Sequence, residues 1–429
     1  MSSSRFHSLD ILPVGETHAL KAAFHADDKS PNKVFLGTGA YRDHRGQPWI
    51  LPAVKKAKQR LALDSSENHE YLPISGDPSF IRHAQRLIFG DFEREDPNPI
   101  NSRQVVSLQT VSGTGANHIG ARFLVETIRP RAVWISNPSW INHSSIWKML
   151  QPLMFDEDRR LEIQYYPYYV QASHSLEFEE TMRVLDAKAN TDDVLVLQPC
   201  AHNPTGLDFT HDQWTAIAEL CVRKKVLPFF DAAYQGFATG SLNKDIWAVR
   251  HFYGYRMELC VAQSFSKNMG LYSERTGAFH LVTFSKDAAT QSLRKLVQIQ
   301  RGETSSPPAF GAKIAKTILG DPALHKIWQH NIQEMTLRLR EMRAALFNEL
   351  VRLGTPGSWN HLLKSVGMFS CTGLNPEQVS QLRAQYHIYI LNSGRISLAG
   401  LNEENVSYVA RAIDTVVRAK TRENEINLA

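Results

Sequence analysis

The sequence predicts an α/β protein with a mostly parallel central sheet, helices on both of its faces, and a second, smaller domain. Short apolar runs alternate with helical patterns through the middle of the chain, which is typical of βαβ units. After about residue 310 the pattern changes to long helices. A length of 429 residues also exceeds what one compact core supports, so more than one domain is expected.

Five apolar runs are the predicted strands of the sheet, and each ends in polar, turn-forming residues. Because parallel strands share an orientation, their polar ends are expected on one rim of the sheet. Ligands bind at that rim in open α/β sheets. The predicted strands are 105–110, 132–135, 194–197, 226–230 and 259–262.

The second domain is predicted to begin near residue 330. Apolar positions at three- to four-residue spacing predict a long helix over 323–353. A strand at 388–391, a turn at 393–395 and a final helix at 403–420 follow. The predicted division of the chain is an N-terminal arm with part of the small domain at 1–49, a large cofactor-binding domain at 50–330, and a small C-terminal domain at 331–429.

Composition excludes several classes of protein. The net charge of +5 is small and the basic residues are scattered, so nucleic-acid binding is not predicted. The four cysteines lie far apart, without metal-ligand spacing, which favours a reducing compartment and no metal. No apolar run approaches the roughly 20 residues that a membrane helix needs, and the first residues lack the apolar core that a secretory signal is expected to have. A cytoplasmic location without membrane contact is expected.

The segment 264–277, S-F-S-K-N-M-G-L-Y-S-E-R-T-G, follows the last predicted strand. The hydroxyls of Ser264 and Ser266 and the guanidinium of Arg275 could hold a phosphate while Lys267 bonds an aldehyde of the same cofactor as a Schiff base. Taken alone, an S-x-S-K sequence more often belongs to a polar loop with a solvated lysine. The other strand ends must decide between these interpretations.

Asp231 follows the predicted strand 226–230. Beneath a pyridine ring its carboxylate would keep the ring nitrogen protonated and make the ring an electron sink. Tyr234 and Asn203 could reach the 3-oxygen of that ring. A helix N-cap is the structural alternative for Asp231.

Ser112, Gly113 and Thr114 open a predicted helix, where backbone N–H groups bind phosphate readily. The rival interpretation is a dinucleotide fold, which needs G-x-G-x-x-G. Position 118 is a histidine and no acidic partner for a ribose is evident, so a nicotinamide-dependent dehydrogenase is disfavoured.

Four more side chains are candidates on weaker grounds. Trp140 could stack on an aromatic cofactor, with His143 supporting Asp231; alternatively both are core or surface residues. Arg301 and Arg395 lie beside turns, and two guanidiniums could each clamp a carboxylate. Ordinary surface arginines are the alternative.

Through nearly the whole chain these residues resemble the aspartate aminotransferases, class I pyridoxal-phosphate-dependent aminotransferases of fold type I, in their cytosolic eukaryotic form. The motifs that carry the resemblance are L-G-T-G-A-Y-R at 36–42, N-H-E-Y-L-P at 68–73, S-G-T-G-A at 112–116, A-H-N-P-T-G at 201–206, F-F-D-A-A-Y-Q-G-F at 229–237, the lysine segment, G-M-F at 367–369 and S-G-R at 393–395.

The resemblance implies a small α+β domain from both chain ends, a homodimer with shared active sites, and pyridoxal 5'-phosphate bonded to Lys267, which also shuttles protons. Asp231, Tyr234, Asn203 and Trp140 would hold the ring. The phosphate would be held by Ser112, Gly113, Thr114, Ser264, Ser266, Arg275 and, from the second subunit, Tyr71. The substrate would meet Arg395, Asn203, Gly39, Trp140, Phe369 and, from the second subunit, Arg301.

The predicted reaction is a ping-pong transfer of an amino group between acidic amino acids and 2-oxo acids, aspartate and 2-oxoglutarate above all. Three departures from the family pattern loosen the prediction for the side-chain pocket. No tryptophan follows Arg301, Gln198-Pro199 replaces a histidine and a small residue, and Thr38 replaces an aliphatic residue. The alternatives are an aromatic or sulfur-containing amino acid in a specialised pathway, a β-lyase or decarboxylase, and a non-catalytic binding protein.

Overall fold

A seven-stranded sheet lies at the centre of the computed structural model, which describes residues 15–90, 104–153 and 160–428, without the side chains of 104 and 420–428. The first fourteen residues of the predicted N-terminal arm therefore lie outside the described part. The described strands are β1 Val34–Phe35, β2 Gln104–Val111, β3 Ala132–Asn137, β4 Glu162–Pro167, β5 Tyr169–Val170, β6 Ser175–Leu176, β7 Val194–Leu197, β8 Leu227–Ala232, β9 Leu259–Ser264, β10 Thr276–Thr283, β11 Phe369–Cys371, β12 Ile388–Tyr389 and β13 Arg395–Ser397.

The central sheet has the strand order β2-β10-β9-β8-β7-β3-β4. Strand β10 runs antiparallel to β2 and β9, and the remaining pairs are parallel. All strands except β10 therefore point the same way, and the predicted α/β fold class is confirmed. The five predicted runs are β2, β3, β7, β8 and β9; β4 and β10 were not predicted.

Helices surround this sheet and build most of the rest of the molecule. The described helices are α1 Glu16–Ala26, α2 Pro52–Leu63, α3 Pro78–Phe89, α4 Ser112–Thr127, α5 Ile141–Leu150, α6 Phe178–Lys188, α7 His211–Lys224, α8 Leu242–Asp245, α9 Trp247–Gly254, α10 Lys286–Glu303, α11 Ala309–Gly320, α12 Pro322–Arg352, α13 Asn360–Lys364, α14 Pro376–Tyr386 and α15 Val406–Leu428.

Two apolar cores cover the two faces of the sheet. Successive side chains of a strand point to opposite faces, and Phe229 packs in one core while Phe230 packs in the other. Helix α4 contributes Ile119 to the first core, and α7 contributes Trp214 to the second. Because both faces are covered, the central strands are apolar throughout rather than alternating.

Local sequence signals set where several helices begin. Thr210 and Gln213 form a capping box at α7, in which each side chain bonds the backbone N–H of the other residue. Asn375 and Gln378 form the same box at α14. At α3, the Asp77 carboxylate accepts hydrogen bonds from two backbone N–H groups of the first turn.

The smaller unit is built from both ends of the chain, as the resemblance implied. Strand β1 pairs in parallel with β12, and β11 pairs with β13. Leu20 of α1 packs against Tyr389 and Leu391. The predicted long helix is α12, and the predicted domain boundary at 330 falls inside it. The division of the chain into domains at that residue stays a prediction.

Within the described residues, no helix is long and apolar enough to cross a membrane. No group of three or more histidine, cysteine, aspartate or glutamate side chains there could hold a metal ion. The four cysteines are buried free thiols, so none of them forms a disulfide.

Candidate active site

Asp231 lies at the carboxyl end of β8 and is buried. Its Oδ2 atom is 2.8 Å from Nε2 of His143 on α5. The Nδ1 atom of the same imidazole is 2.9 Å from the Ser139 hydroxyl. This chain of hydrogen bonds holds the carboxylate in one orientation. The N-cap alternative is wrong, because β8 continues through Ala232 and no helix begins at Asp231.

The second oxygen of this carboxylate is unsatisfied. Asp231 Oδ1 is buried and has no hydrogen-bond partner among the described residues. A buried acceptor without a donor costs about 1–3 kcal/mol or more for a charged group. A protonated ring nitrogen of a bound cofactor could donate the missing hydrogen bond to this oxygen.

Lys267 follows β9 and is partly buried, with its Nζ 5.4 Å from the centre of the Tyr234 ring. Desolvation by burial lowers the pKa of this lysine, the charge of Arg275 lowers it further, and Asp231 opposes the shift. A lowered pKa increases the fraction of free amine, which is the nucleophilic and basic form. The alternative of a solvated surface lysine does not describe this side chain.

Hydroxyl groups cluster where α4 begins beside the lysine segment. The Oγ atoms of Ser112 and Ser266 are 2.9 Å apart, and the Ser264 hydroxyl accepts a hydrogen bond of 3.2 Å from the Ser266 backbone N–H. A Cβ atom on Gly113 would lie 2.8 Å from the Ser264 Cβ, so only glycine allows this close approach. Thr114 follows in the first turn of α4 and is partly buried.

Arg275 joins this cluster through its backbone and its side chain. Its carbonyl accepts a hydrogen bond of 3.0 Å from the Ser112 N–H. Its guanidinium donates to the Tyr272 carbonyl at 2.9 Å, and burial lowers its pKa. Hydroxyls, the N-terminus of a helix and a guanidinium together are a donor set that suits a phosphate group.

Arg395 on β13 is a buried cation with neutral partners. Its Nη1 donates to Asn203 Oδ1 at 3.1 Å and its Nη2 donates to the Gly37 carbonyl at 2.9 Å. The guanidinium lies 4.3 Å over the Phe369 ring, and its Nε is buried without a partner among the described residues. Desolvation lowers the pKa of Arg395. A carboxylate of a substrate would neutralise this charge.

Phe369 connects the surroundings of Arg395 to Tyr234. The two aromatic rings meet edge to face with centroids 5.8 Å apart. A Cβ atom on Gly39 would lie 3.2 Å from Phe369 Cζ, so the glycine segment runs directly beside the ring. Burial raises the pKa of Tyr234, and the Arg395 charge and the Asn203 amide oppose that shift. The Tyr234 hydroxyl therefore stays protonated and can donate.

Two predicted residues stand apart from this buried group, and a third lies at its edge. Tyr71 is 85% exposed, and Arg301 is exposed on the last turn of α10. Trp140 is partly buried at the N-terminus of α5, with its ring edge-on to His143 at 5.3 Å. Within one chain, Tyr71 and Arg301 are not brought to the other site residues.

Two residues at the site were not predicted to belong to it. The Tyr272 hydroxyl accepts a hydrogen bond of 2.8 Å from the Tyr41 N–H, and its carbonyl orients Arg275. Its position inside the segment 264–277 was the available signal. Gln198 bonds both backbone polar groups of Asn203. The sequence marked it only as a departure from the family pattern.

The described residues fit pyridoxal phosphate. Asp231 offers an unpaired carboxylate oxygen for a ring nitrogen, the serine cluster with Arg275 offers donors for a phosphate, and Lys267 offers an amine of lowered pKa for an aldehyde. Each of these chemical groups matches a different part of the cofactor.

Comparison with known proteins identifies the family. The family described as Aminotransferase class I and II matches residues 31–413. The chain belongs to this family. It is 43% identical to the cytoplasmic aspartate aminotransferase of Schizosaccharomyces pombe over 97% of this chain and 99% of that one. It is 46% identical to an L-tyrosine:2-oxoglutarate aminotransferase of Aspergillus ustus over 93% of this chain and 76% of that one.

A solved structure agrees with this assignment. The aspartate aminotransferase from the cytoplasm of Saccharomyces cerevisiae superposes with a TM-score of 0.90 at 41% identity, covering 97% of this chain and 99% of that chain. The resemblance to the aspartate aminotransferases is thus confirmed, and the protein is an aminotransferase. The binding-protein and dehydrogenase alternatives are set aside.

Proposed function

We propose that this aminotransferase uses pyridoxal 5'-phosphate to transfer an amino group reversibly between aspartate and 2-oxoglutarate by a ping-pong mechanism. One observation carries the proposal: a buried carboxylate with an unpaired oxygen and a buried guanidinium with only neutral partners share a site with a lysine of lowered pKa. The two yeast aspartate aminotransferases, matched over nearly their full length, support it.

The cofactor-binding roles follow from the donor and acceptor groups. When bound, pyridoxal phosphate supplies an electron sink for charge that develops on the substrate carbon. Asp231 Oδ1 would accept a hydrogen bond from the protonated ring nitrogen, and His143 holds Asp231 in place. Tyr234 and Asn203 would donate towards the 3-oxygen, and Trp140 would help to hold the ring. The phosphate is held by Ser112, Gly113, Thr114, Ser264, Ser266 and Arg275.

Lys267 carries the proton in the proposed reaction. As a free amine, its Nζ would take the proton from the substrate carbon that bears the amino group and deliver it to C4′ of the cofactor, the carbon that carried the aldehyde. The pKa lowering by burial keeps the amine in the basic form at lower pH than an exposed lysine allows.

The carboxylates of the substrate determine which amino acid binds. Arg395 and Asn203 hold the α-carboxylate, with Gly39 and Phe369 beside them. Arg301 of a second copy of the chain meets the distal carboxylate, and Tyr71 of that copy meets the phosphate. The exposure of both side chains in the single chain supports this homodimer. An arginine left without a carboxylate partner disfavours neutral side chains.

The test is a half-reaction in which the purified protein, loaded with pyridoxal phosphate, is mixed with aspartate or glutamate. The cofactor absorbance should move from the aldehyde form to the amine form, and oxaloacetate or 2-oxoglutarate should appear. No shift with either acidic amino acid would contradict the proposal.

An aromatic amino acid is the second candidate substrate. The Aspergillus ustus relative, which is named for L-tyrosine, is 46% identical. The run 302–306, G-E-T-S-S, also carries no aromatic residue beside Arg301. The same half-reaction with tyrosine, phenylalanine and cysteine sulfinate ranks the substrates. Release of pyruvate without amino transfer would indicate a β-lyase or decarboxylase instead. A cytoplasmic location is proposed from the names of the yeast relatives.

A further inference from the structure

Gln198 binds the backbone of Asn203 from both sides. It follows β7 directly and is buried, with 7% of its surface exposed. Its Nε2 donates to the Asn203 carbonyl at 3.1 Å, and its Oε1 accepts from the Asn203 N–H at 2.9 Å. One side chain thus satisfies both polar groups of the Asn203 backbone.

The side chain of Asn203, whose backbone Gln198 holds, in turn contacts Arg395. Asn203 Oδ1 accepts the hydrogen bond from Arg395 Nη1 at 3.1 Å, and both residues are buried. The only other hydrogen bond of that guanidinium goes to the Gly37 carbonyl, among the described residues. A displaced Asn203 would therefore leave the guanidinium with one neutral anchor.

The constraint acts where the larger and the smaller units meet. The Gly206 carbonyl accepts a hydrogen bond of 2.6 Å from the Val366 N–H. A Cβ atom on Gly367 would lie 2.5 Å from the Ala201 Cβ, so the two loops interlock closely. Gln198 and Asn203 belong to the larger unit, whereas Arg395 lies on β13 of the smaller one.

We propose that Gln198 is a positioning residue for the aminotransferase reaction, acting through Asn203 to hold Arg395 in the orientation that receives the α-carboxylate. This inference rests on the proposed function. A primary amide suits the task because it presents one donor and one acceptor side by side and carries no charge that could titrate. The family resemblance predicts a histidine at position 198, and this positioning role gives a function to the glutamine that stands there instead.

The first test is Gln198→Met, which keeps the length of the side chain and removes both hydrogen bonds. We expect the KM for aspartate and for 2-oxoglutarate to rise about tenfold while kcat changes by less than about threefold. The two hydrogen bonds that hold Asn203 are lost, so Arg395 binds the substrate carboxylate less well, whereas the groups that carry out the chemistry stay in place. The dissociation constant of succinate for the cofactor-free protein, measured by calorimetry, should rise by a similar factor.

The matched control is Gln378→Met. Gln378 is also a buried glutamine that bonds two backbone groups, Asn375 N–H and the Val416 carbonyl, but it lies at the start of α14. It should leave KM and succinate binding unchanged. If Gln198→Met lowers Tm far more than the control does, Gln198→Glu replaces it. Glutamate keeps the shape and one acceptor but faces the Asn203 carbonyl with a second oxygen, so the same rise is expected.

A double-mutant cycle tests whether Gln198 acts through Asn203. The protein with both Gln198→Met and Asn203→Ala should bind succinate no more weakly than Asn203→Ala alone. Additive losses would overturn the inference, as would wild-type KM and succinate affinity in Gln198→Met. A wild-type protein that transfers no amino group from aspartate or glutamate would overturn the proposed function instead, while succinate binding still reports on Gln198.

Discussion

The cofactor half and the carboxylate half of the site are assembled in different ways. In the cofactor half, Asp231 and Ser264 lie at the carboxyl ends of the neighbouring strands β8 and β9, Ser266 follows β9, and Ser112 opens the helix after β2. In the carboxylate half, Arg395 comes from β13, and its anchors Asn203 and Gly37 follow β7 and β1. The first half belongs to one sheet, whereas the second joins segments from both units.

This difference shows which half depends on the relative placement of the units. Hydrogen bonds within the cofactor half join residues of the larger unit, such as His143 to Asp231 and Ser112 to Ser266. Arg395 reaches Asn203 only when β13 and the loop after β7 are docked. Substitutions in the first half should abolish chemistry, and those in the second should weaken binding of carboxylates.

The largest expected effect is in the cofactor half. Lys267→Ala should lower the amino-transfer rate by about 10⁴-fold, because the general base and the covalent anchor are both lost. The rate with aspartate and 2-oxoglutarate measures this. The exposed Lys286→Ala is the control and should keep the wild-type rate. A Lys267→Ala protein within tenfold of wild type would contradict the role of this lysine.

Arg395→Lys tests the carboxylate half. A lysine cannot form the bidentate pair or the stack on Phe369, so KM should rise about 100-fold for every amino-acid substrate, equal to about 2.7 kcal/mol. Cofactor absorbance in the absence of substrate should stay as in wild type. Arg411→Lys, on the exposed face of α15, is the control. An altered cofactor spectrum with an unchanged KM would contradict the placement of Arg395 in the carboxylate half.

Arg301→Ala distinguishes recognition of the distal carboxylate of the substrate from recognition of its α-carboxylate. We expect kcat/KM for aspartate to fall about 30-fold, since a charge-assisted contact is worth about 1.5–3 kcal/mol, while that for tyrosine changes little. Arg294→Ala, exposed on the same helix α10, is the matched control. Equal losses for both substrates would contradict a role in selecting dicarboxylates.

The smallest expected effect is on stability. Burial lowers the pKa of Lys267 from 10.5, so the unfolded chain binds more protons than the folded one just below that pH. Stability therefore rises with pH in this window, and Lys267 costs the cofactor-free protein more stability at pH 7 than near pH 10. Lys267→Met should raise its Tm by on the order of 1 °C at pH 7, with a smaller gain near pH 10.

Calorimetric scans of the cofactor-free proteins at the two pH values measure this effect, with Lys286→Met as the exposed control. A Tm gain that grows with pH would contradict the sign of the shift.

Much of the cofactor half was predictable from the sequence. The central strands are continuous apolar runs, and polar site residues lie at or just beyond their carboxyl ends, such as Asp231 at the end of β8 and Ser112 after β2. Strand β10 was missed, because its residues T-G-A-F-H-L-V-T mix apolar and polar types although all are buried. Strand β4 was missed because it lies at the sheet edge, where its side chains are mostly half-buried or exposed and no apolar run marks it.

The carboxylate half was less predictable, since its contacts join residues far apart in the chain. The turn predicted at 393–395 is followed at once by a short strand, β13, which begins at Arg395 and pairs with β11. Nothing local in the sequence indicates that Asn203 and Gly37 accept hydrogen bonds from Arg395. The predicted strand at 388–391 is also shorter, ending at Tyr389.

The sequence by itself determined the α/β class, the order of the strand ends and the identity of the residues that could bind the cofactor. The spacing of apolar residues, continuous apolar runs and turn-forming residues are local features of the sequence. They can be recognised wherever an element is buried on both faces. Only the tertiary structure decided that Asp231 keeps an unpaired oxygen and that Arg395 has neutral partners. Each depends on burial and on contacts between distant segments, which no local pattern encodes.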